Sequence, residues 1–238
     1  EILRCLVGSE RCIRDRLKAL MPDIYTLIPS DYASIRCHEY ERLLSLYMSR
    51  AVPSAHPRFV QVGGIPGAGK STFCAGRRWT DRLFVSFDAI MENIPAYQTD
   101  IYRLGRAGSF KKWEIPARIV GYELLRRAVE ARADIYFEHS GVNRPHVQLI
   151  ENLKKYGYRT EMHFILCSLA VAEARAKARE QQTNRHTPPS LIAERYNLVN
   201  TYLQTYAAKA DSLYVYDSTE NSFSLSRNYR KGILVNAA

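Results

Sequence analysis

The sequence predicts an α/β fold: a P-loop-bearing parallel sheet with helices on both faces, preceded by an N-terminal helical extension. Three observations carry this. From residue 58 onward, short β-branched and aromatic runs alternate with longer helical stretches, the pattern that builds parallel sheets. The first run ends in a glycine-rich turn leading straight into a helix. Two helix-like stretches precede that run with no strand between them.

In chain order, residues 9–21 (SERCIRDRLKALM) read as a short amphipathic helix starting at Ser9 or Glu10. Pro22 and Pro29 then break the chain, and residues 31–50 read as a longer helix with Asp31 or Ser30 as N-cap. VPSAHP, residues 52–57, is a connector, so residues 1–55 form the extension and 56–238 the main domain. RFVQVGG, residues 58–64, is the first strand; further strands are expected at 83–87, 134–138, 160–167 and 212–216. Helices are expected at about 111–132, 144–156, 169–181 and 190–208. The strand-to-strand connections should be right-handed crossovers.

Composition excludes several classes. The chain has 238 residues, 46% hydrophobic and 24% charged, an ordinary globular balance. No apolar run approaches the roughly 18–20 residues of a membrane helix; the best, His163 to Ala172, is too short and too polar. Arg4, Glu10 and Arg11 interrupt any signal-peptide pattern. Cys5, Cys12, Cys37, Cys74 and Cys167 show neither C-x-x-C nor zinc spacing, which fits reduced thiols in a cytoplasmic protein. The net charge of +10 points to anionic partners. Residues 101–132 hold eight basic residues against three acidic ones; a solvated helix face would explain them as well.

The sharpest feature is GGIPGAGKST, residues 63–72. It holds G-x-x-x-x-G-K-S from Gly64 to Ser71, between a strand and a helix start. Gly64, Gly67 and Gly69, with Ile65, Pro66 and Ala68 between them, let backbone amides wrap a polyphosphate. Lys70 is placed to neutralise the β- and γ-phosphates of ATP, and Ser71, followed by Thr72, offers a hydroxyl to Mg²⁺. This is a nucleotide site, common to kinases, other NTPases and non-catalytic modules.

Two acids stand at strand ends, which face the ligand crevice of an α/β sheet. Asp88 suits a base for an attacking hydroxyl, and equally an N-cap for the next helix. Glu138 suits a substrate hydroxyl or water-mediated help to Mg²⁺, and equally a cap or surface pair. Further on come Arg175, Lys177, Arg179 and Arg185. Arg175 and Arg179 share a helix face, and Arg185 lies on the loop that follows. Such a segment can bring guanidinium charge to a transferring phosphoryl group.

These residues resemble the zeta toxin family, the P-loop kinases of epsilon/zeta toxin–antitoxin systems. The similarity runs from about Arg58 to about Asp217 and rests on five stretches in the family's order: GGIPGAGKST, SFDAIMENIPAY, IYFEHSG, LKKYGYRTEMHF, and ARE with NRHTPPSL. It implies an ATP- and Mg²⁺-dependent kinase acting on the sugar 3′-hydroxyl of UDP-N-acetylglucosamine, toxic through cell-wall precursors. By the same resemblance Lys70 and Ser71 are the phosphate and Mg²⁺ pair, and Asp88 the catalytic base. Glu138 is a substrate contact, Arg179 and Arg185 are the lid arginines, and Glu123 is a further acidic contact. Ser140 stands at the family's Thr position after that Glu, and Arg144 at its following Arg, shifted by two places.

The chain departs from the family in the acceptor wall: Ser86 replaces the first Asp of D-x-D, Ile94 the His of its HP, and His139-Ser140 the G-T after Glu138. Other acceptors therefore stay open, a dinucleotide ribose or a nucleic-acid end among them. The rival readings are a nucleic-acid binder, motivated by the +10 charge, and a non-catalytic nucleotide-gated module. The family implies an antitoxin partner; residues 1–28, which have no match there, are either a docking or self-inhibitory segment standing in for a separate antitoxin, or a structural extension.

Overall fold

The computed structural model describes residues 17–28, 33, 35–220 and 222–237. The helix expected over 9–21 lies outside this range except for its last turn, where the Leu17 carbonyl accepts from the Leu20 and Met21 amides. The described part of the extension is bound into the core. Leu17, Leu20, Met21, Ile24 and Ile28 are buried, and α1 (Cys37–Met48) adds Tyr40, Leu43, Leu44 and Tyr47 on one helical face.

The sheet has seven strands: β1 (Arg58–Gly63), β2 (Phe84–Ser86), β3 (Ile135–Glu138), β4 (Arg159–Leu166), β5 (Ser212–Asp217), β6 (Ser224–Arg230) and β7 (Ile233–Ala237), in the order β2-β3-β1-β4-β5-β6-β7. The first five are parallel, as expected. β6 and β7 are antiparallel, so the sheet is mixed rather than purely parallel. Their hairpin turns at Lys231 and Gly232, both with positive φ of 47° and 84°, the backbone of a two-residue turn that matches strand twist. The central strands are apolar on both faces because helices cover both: β3 is buried at every position and β1 from Phe59 to Gly63.

The other helices are α2 (Lys70–Gly76), α3 (Phe87–Glu92), α4 (Pro95–Glu130), α5 (Arg144–Leu153), α6 (Leu169–Thr183) and α7 (Pro189–Lys209). α4 begins sixteen residues before the expected helix at 111. It is broken at Gly105, whose φ of 72° and ψ of 172° are not helical. Polar bonds splice the two halves: Asp100 accepts from Lys112 Nζ at 2.5 Å and Trp113 Nε1 at 2.8 Å, and Ser109 donates to the Tyr97 carbonyl at 2.9 Å. Much of the basic run over 101–132 is spent internally. Arg126 and Arg127 pair with Glu123, Lys112 with Asp100, and Arg118 with Glu114.

Among the described residues, no helix is long and apolar enough to cross a membrane. Cys74 and Cys167 are buried thiols.

Candidate active site

The glycine-rich loop between β1 and α2 is held by close backbone approaches. Gly64, Gly67 and Gly69 have φ of 133°, 85° and 90°. A Cβ on Gly64 would lie 2.2 Å from the Ile165 carbonyl oxygen, and one on Gly67 2.1 Å from that of Ala172. The Gly64 amide donates to the Ser140 carbonyl at 3.0 Å. Ile65 and Ala68 are buried anchors, and Ser218 Oγ donates to the Ala68 carbonyl at 2.8 Å. No side chain caps the start of α2, so its first amides remain for a ligand.

Around this loop lies a cavity of about 360 Å³. Pro66, Gly67 and Gly69 line it, with Lys70, Ser71 and Thr72 of α2, Asp88 of α3, Glu138 and Ser140 at the end of β3, and the lid residues Arg175, Arg179 and Arg185. Lys70 Nζ donates to the Ile65 carbonyl at 3.0 Å. Burial lowers its pKa, with Glu138 and Asp88 pulling it back up. Lys177 is exposed and does not line the cavity.

Asp88 is not a helix cap. Ser86 holds the N-cap position of α3 and Asp88 lies in its first turn. Its Oδ2 is 3.8 Å from Arg185 NH1, which also lies 3.6 Å from Glu92 Oε1. Burial raises the Glu92 pKa while Arg185 opposes the shift. Glu138 is buried at the end of β3, next to β1, and accepts from Ser71 Oγ at 2.9 Å. Among the described residues no cluster of three or more His, Cys, Asp or Glu would hold a metal by itself. A Mg²⁺ at Ser71 and Glu138 would therefore draw its remaining oxygens from phosphate and water, as Mg²⁺ commonly does.

The lid arginines are bent inward. Arg179 NH2 donates to Thr187 Oγ1 at 2.6 Å. Burial, then the neighbouring Arg185, lowers the Arg179 pKa. The Nε groups of Arg179 and Arg185 are buried without an acceptor, a cost that an anion would relieve. Arg106, beside the α4 break, donates to Asn184 Oδ1 at 2.7 Å and so ties the lid loop to α4.

Two expected contacts are not brought to the cavity. Glu123 is buried in α4 between Arg126 and Arg127, at 2.7 and 2.8 Å. Arg144 opens α5 on the surface and pairs with Asp23 at 3.0 Å. Charge satisfaction within and between helices decides both. The residues missed by sequence reading are Phe110, Glu114 and Arg118 of α4 and Leu191 and Arg195 of α7; His139, noted there as a departure in the acceptor wall, also lines the cavity. The i,i+4 pair Glu114–Arg118 was visible as a spacing; Arg195 had no local signal.

The family model described as Zeta toxin matches residues 45–228. Among solved structures, a chain of the PezAT toxin–antitoxin system of Streptococcus pneumoniae superposes with a TM-score of 0.62 at 15% identity, covering 81% of this chain and 80% of that one. The AvrRxo1-ORF1:AvrRxo1-ORF2 complex contributes a chain with a TM-score of 0.65 at 12% identity in its structure with ATP, covering 83% of this chain and 68% of that one. At these identities the likeness is one of fold. No curated protein matches the sequence.

Proposed function

This chain belongs to the zeta toxin family of kinase-like toxins, and from that premise we propose that it transfers the γ-phosphoryl group of ATP to a hydroxyl of a UDP-sugar. The sugar 3′-hydroxyl of UDP-N-acetylglucosamine is the first acceptor to test. The observation that supports the reading is the convergence of Lys70, Asp88, Glu138, Arg179 and Arg185 on one cavity around the glycine loop.

The chemistry follows from these side chains. The loop amides and Lys70 hold the β- and γ-phosphates. Asp88 orients the acceptor hydroxyl and takes its proton. Arg179 and Arg185 meet the charge that develops on the transferring group. Ser71 and Glu138 would hold Mg²⁺, which supplies charge neutralisation on the phosphates when bound. Glu138, which lines the cavity beside Ser140, would also contact the acceptor.

An inhibitory partner belongs to the same proposal, since the PezAT neighbour comes from a toxin–antitoxin system. Residues 17–28 argue against inhibition by that part of the chain itself. They pack on α5, where Asp23 bonds Gln148 and the Leu20 carbonyl accepts from Asn152, and none of them lines the cavity.

The test is mass spectrometry after incubation with Mg·ATP and a panel of UDP-N-acetylglucosamine, other UDP-sugars, NAD and an oligonucleotide, with Asp88→Asn as control. A phosphoryl gain on a UDP-sugar, absent in the control, supports the reading. Labelling of NAD or the oligonucleotide alone keeps the kinase and removes the UDP-sugar.

A further inference from the structure

Besides Arg175, which reaches the Thr219 and Glu220 carbonyls, the cations that line the cavity fall into two groups. Lys70, Arg179 and Arg185 crowd one another around the phosphate loop and share Asp88 and Glu138. Arg118 and Arg195 stand apart from them. They line the same cavity from two different helices, α4 and α7, and both act on the His139–His146 pair beyond the end of β3.

This second group is built rather than incidental. Arg195 NH1 donates to the Val142 carbonyl at 2.6 Å, which fixes the guanidinium beside the turn that carries His139 and Ser140. Glu194 lies 3.7 Å from Arg195 but is more than half exposed. Arg118 is steadied by Glu114 one helical turn earlier, and Glu114 also lines the cavity. Each guanidinium has five N–H groups, so one partner leaves donors over.

His139 adds a third donor of known tautomer. Its Nδ1 accepts from the Gly141 amide at 3.1 Å. An amide only donates, so Nδ1 is bare and the proton sits on Nε2. These donors, from two helices and a strand end, line one cavity, and guanidinium forks match the oxygens of a phosphate.

We propose that Arg118, Arg195 and His139 form a second anion subsite, which holds a phosphate or diphosphate group of the acceptor while ATP occupies the glycine loop. The inference rests on the nucleotide reading above and adds to it the residues that select a phosphate-bearing acceptor over a neutral one.

The experiment is calorimetry on the full chain saturated with Mg·AMPPNP, titrated separately with UDP and with inorganic phosphate. The expected result is one further site for at least one probe. Arg118→Gln and Arg195→Gln should each weaken it about tenfold or more, the loss of a charge-assisted contact, while AMPPNP affinity holds. Arg118→Lys should recover part of the loss, and Arg118→Gln carries the test alone if the Arg195 variant does not fold. No second site at millimolar probe overturns the proposal, as does a second site that both variants leave intact. Equal loss of AMPPNP affinity in the variants also overturns it, because the two groups would then be one. Failure of the wild type to bind AMPPNP removes the nucleotide reading and this subsite together; intact AMPPNP binding with no second anion removes the subsite only.

Discussion

Asp88→Asn separates a catalytic from a structural carboxylate. Asp88 is 44% exposed and its nearest cation, Arg185 NH1, is 3.8 Å away. An ion pair at that exposure is worth about 0–1 kcal/mol, so the substitution should change stability by less than about 1 kcal/mol. It leaves Arg185 less neutralised, so nucleotide binding should tighten slightly or stay within about fivefold. Asn keeps the volume and removes the basic oxygen. A lost general base costs about 10²–10⁴ in turnover, or roughly 3–5 kcal/mol of barrier. The assay is single-turnover phosphoryl transfer to the acceptor that the panel labels, with AMPPNP affinity measured alongside. Turnover within about threefold of wild type would refute the base. A loss of AMPPNP affinity as deep as the loss of rate would make Asp88 a support of the lid instead.

Three further outcomes follow from the geometry. Gly64→Ala places a Cβ 2.2 Å from the Ile165 oxygen at a φ of 133°. It should cost about 3 kcal/mol or more, and thermal melting within about 2 °C of wild type would contradict this. His146, buried with Arg118 and Arg195 nearby, has its pKa pushed down to about 3. Between that value and the unfolded value near 6.5 only the unfolded chain binds this proton, so stability rises with pH there. Roughly 4 kcal/mol should be lost as pH falls through the window; in urea unfolding series from pH 4 to 7, His146→Gln should flatten the slope. Deleting residues 1–28 should destabilise the chain, because Leu17, Leu20, Met21, Ile24 and Ile28 are buried. At up to about 1.5–3 kcal/mol per buried side chain the loss is severe, whereas deleting 1–16 spares all five; equal melting of the two deletions would oppose the packing.

What the sequence made legible was local. The glycine loop is a contiguous eight-residue pattern whose backbone demands only glycine meets, and the strands that lead to Asp88 and Glu138 follow from runs of β-branched and aromatic residues; Asp88 itself falls two residues past its strand, in the first turn of α3. The lost elements are those with mixed local signals. β6, SLSRNYR, is mostly polar and has no apolar run, because an edge hairpin needs none; its clue was the Lys231-Gly232 turn. The first half of α4 hid behind Gly105 and Gly108. The site residues that were missed come from α4 and α7, which lie far from the loop in sequence, and nothing local says which face of a long helix will meet a cavity. Glu123 illustrates the converse: the family resemblance implied a ligand contact, yet Arg126 and Arg127 lie three and four residues on, and such a carboxylate is satisfied within its own helix.

The same distinction weighs the kinase against the nucleic-acid reading. A surface that tracks a nucleic-acid backbone needs cations spread along an exposed face, free to displace counterions. In the basic run over 101–132, Lys112, Arg118, Arg126 and Arg127 each pair with a carboxylate, and Arg132 donates to the Tyr156 and Ala55 carbonyls. That run is therefore largely consumed in holding α4 to itself and to its neighbours. Among the described residues the buried guanidinium nitrogens without an acceptor are the Nε atoms of Arg179 and Arg185, both residues of a cavity of about 360 Å³, within the range of small-ligand sites. These donors lie in a concave site beside the glycine loop rather than on an open face. The cavity gathers Lys70, Arg118, Arg175, Arg179, Arg185 and Arg195 against Asp88, Glu114 and Glu138, a local cationic excess that suits the phosphates of a small ligand.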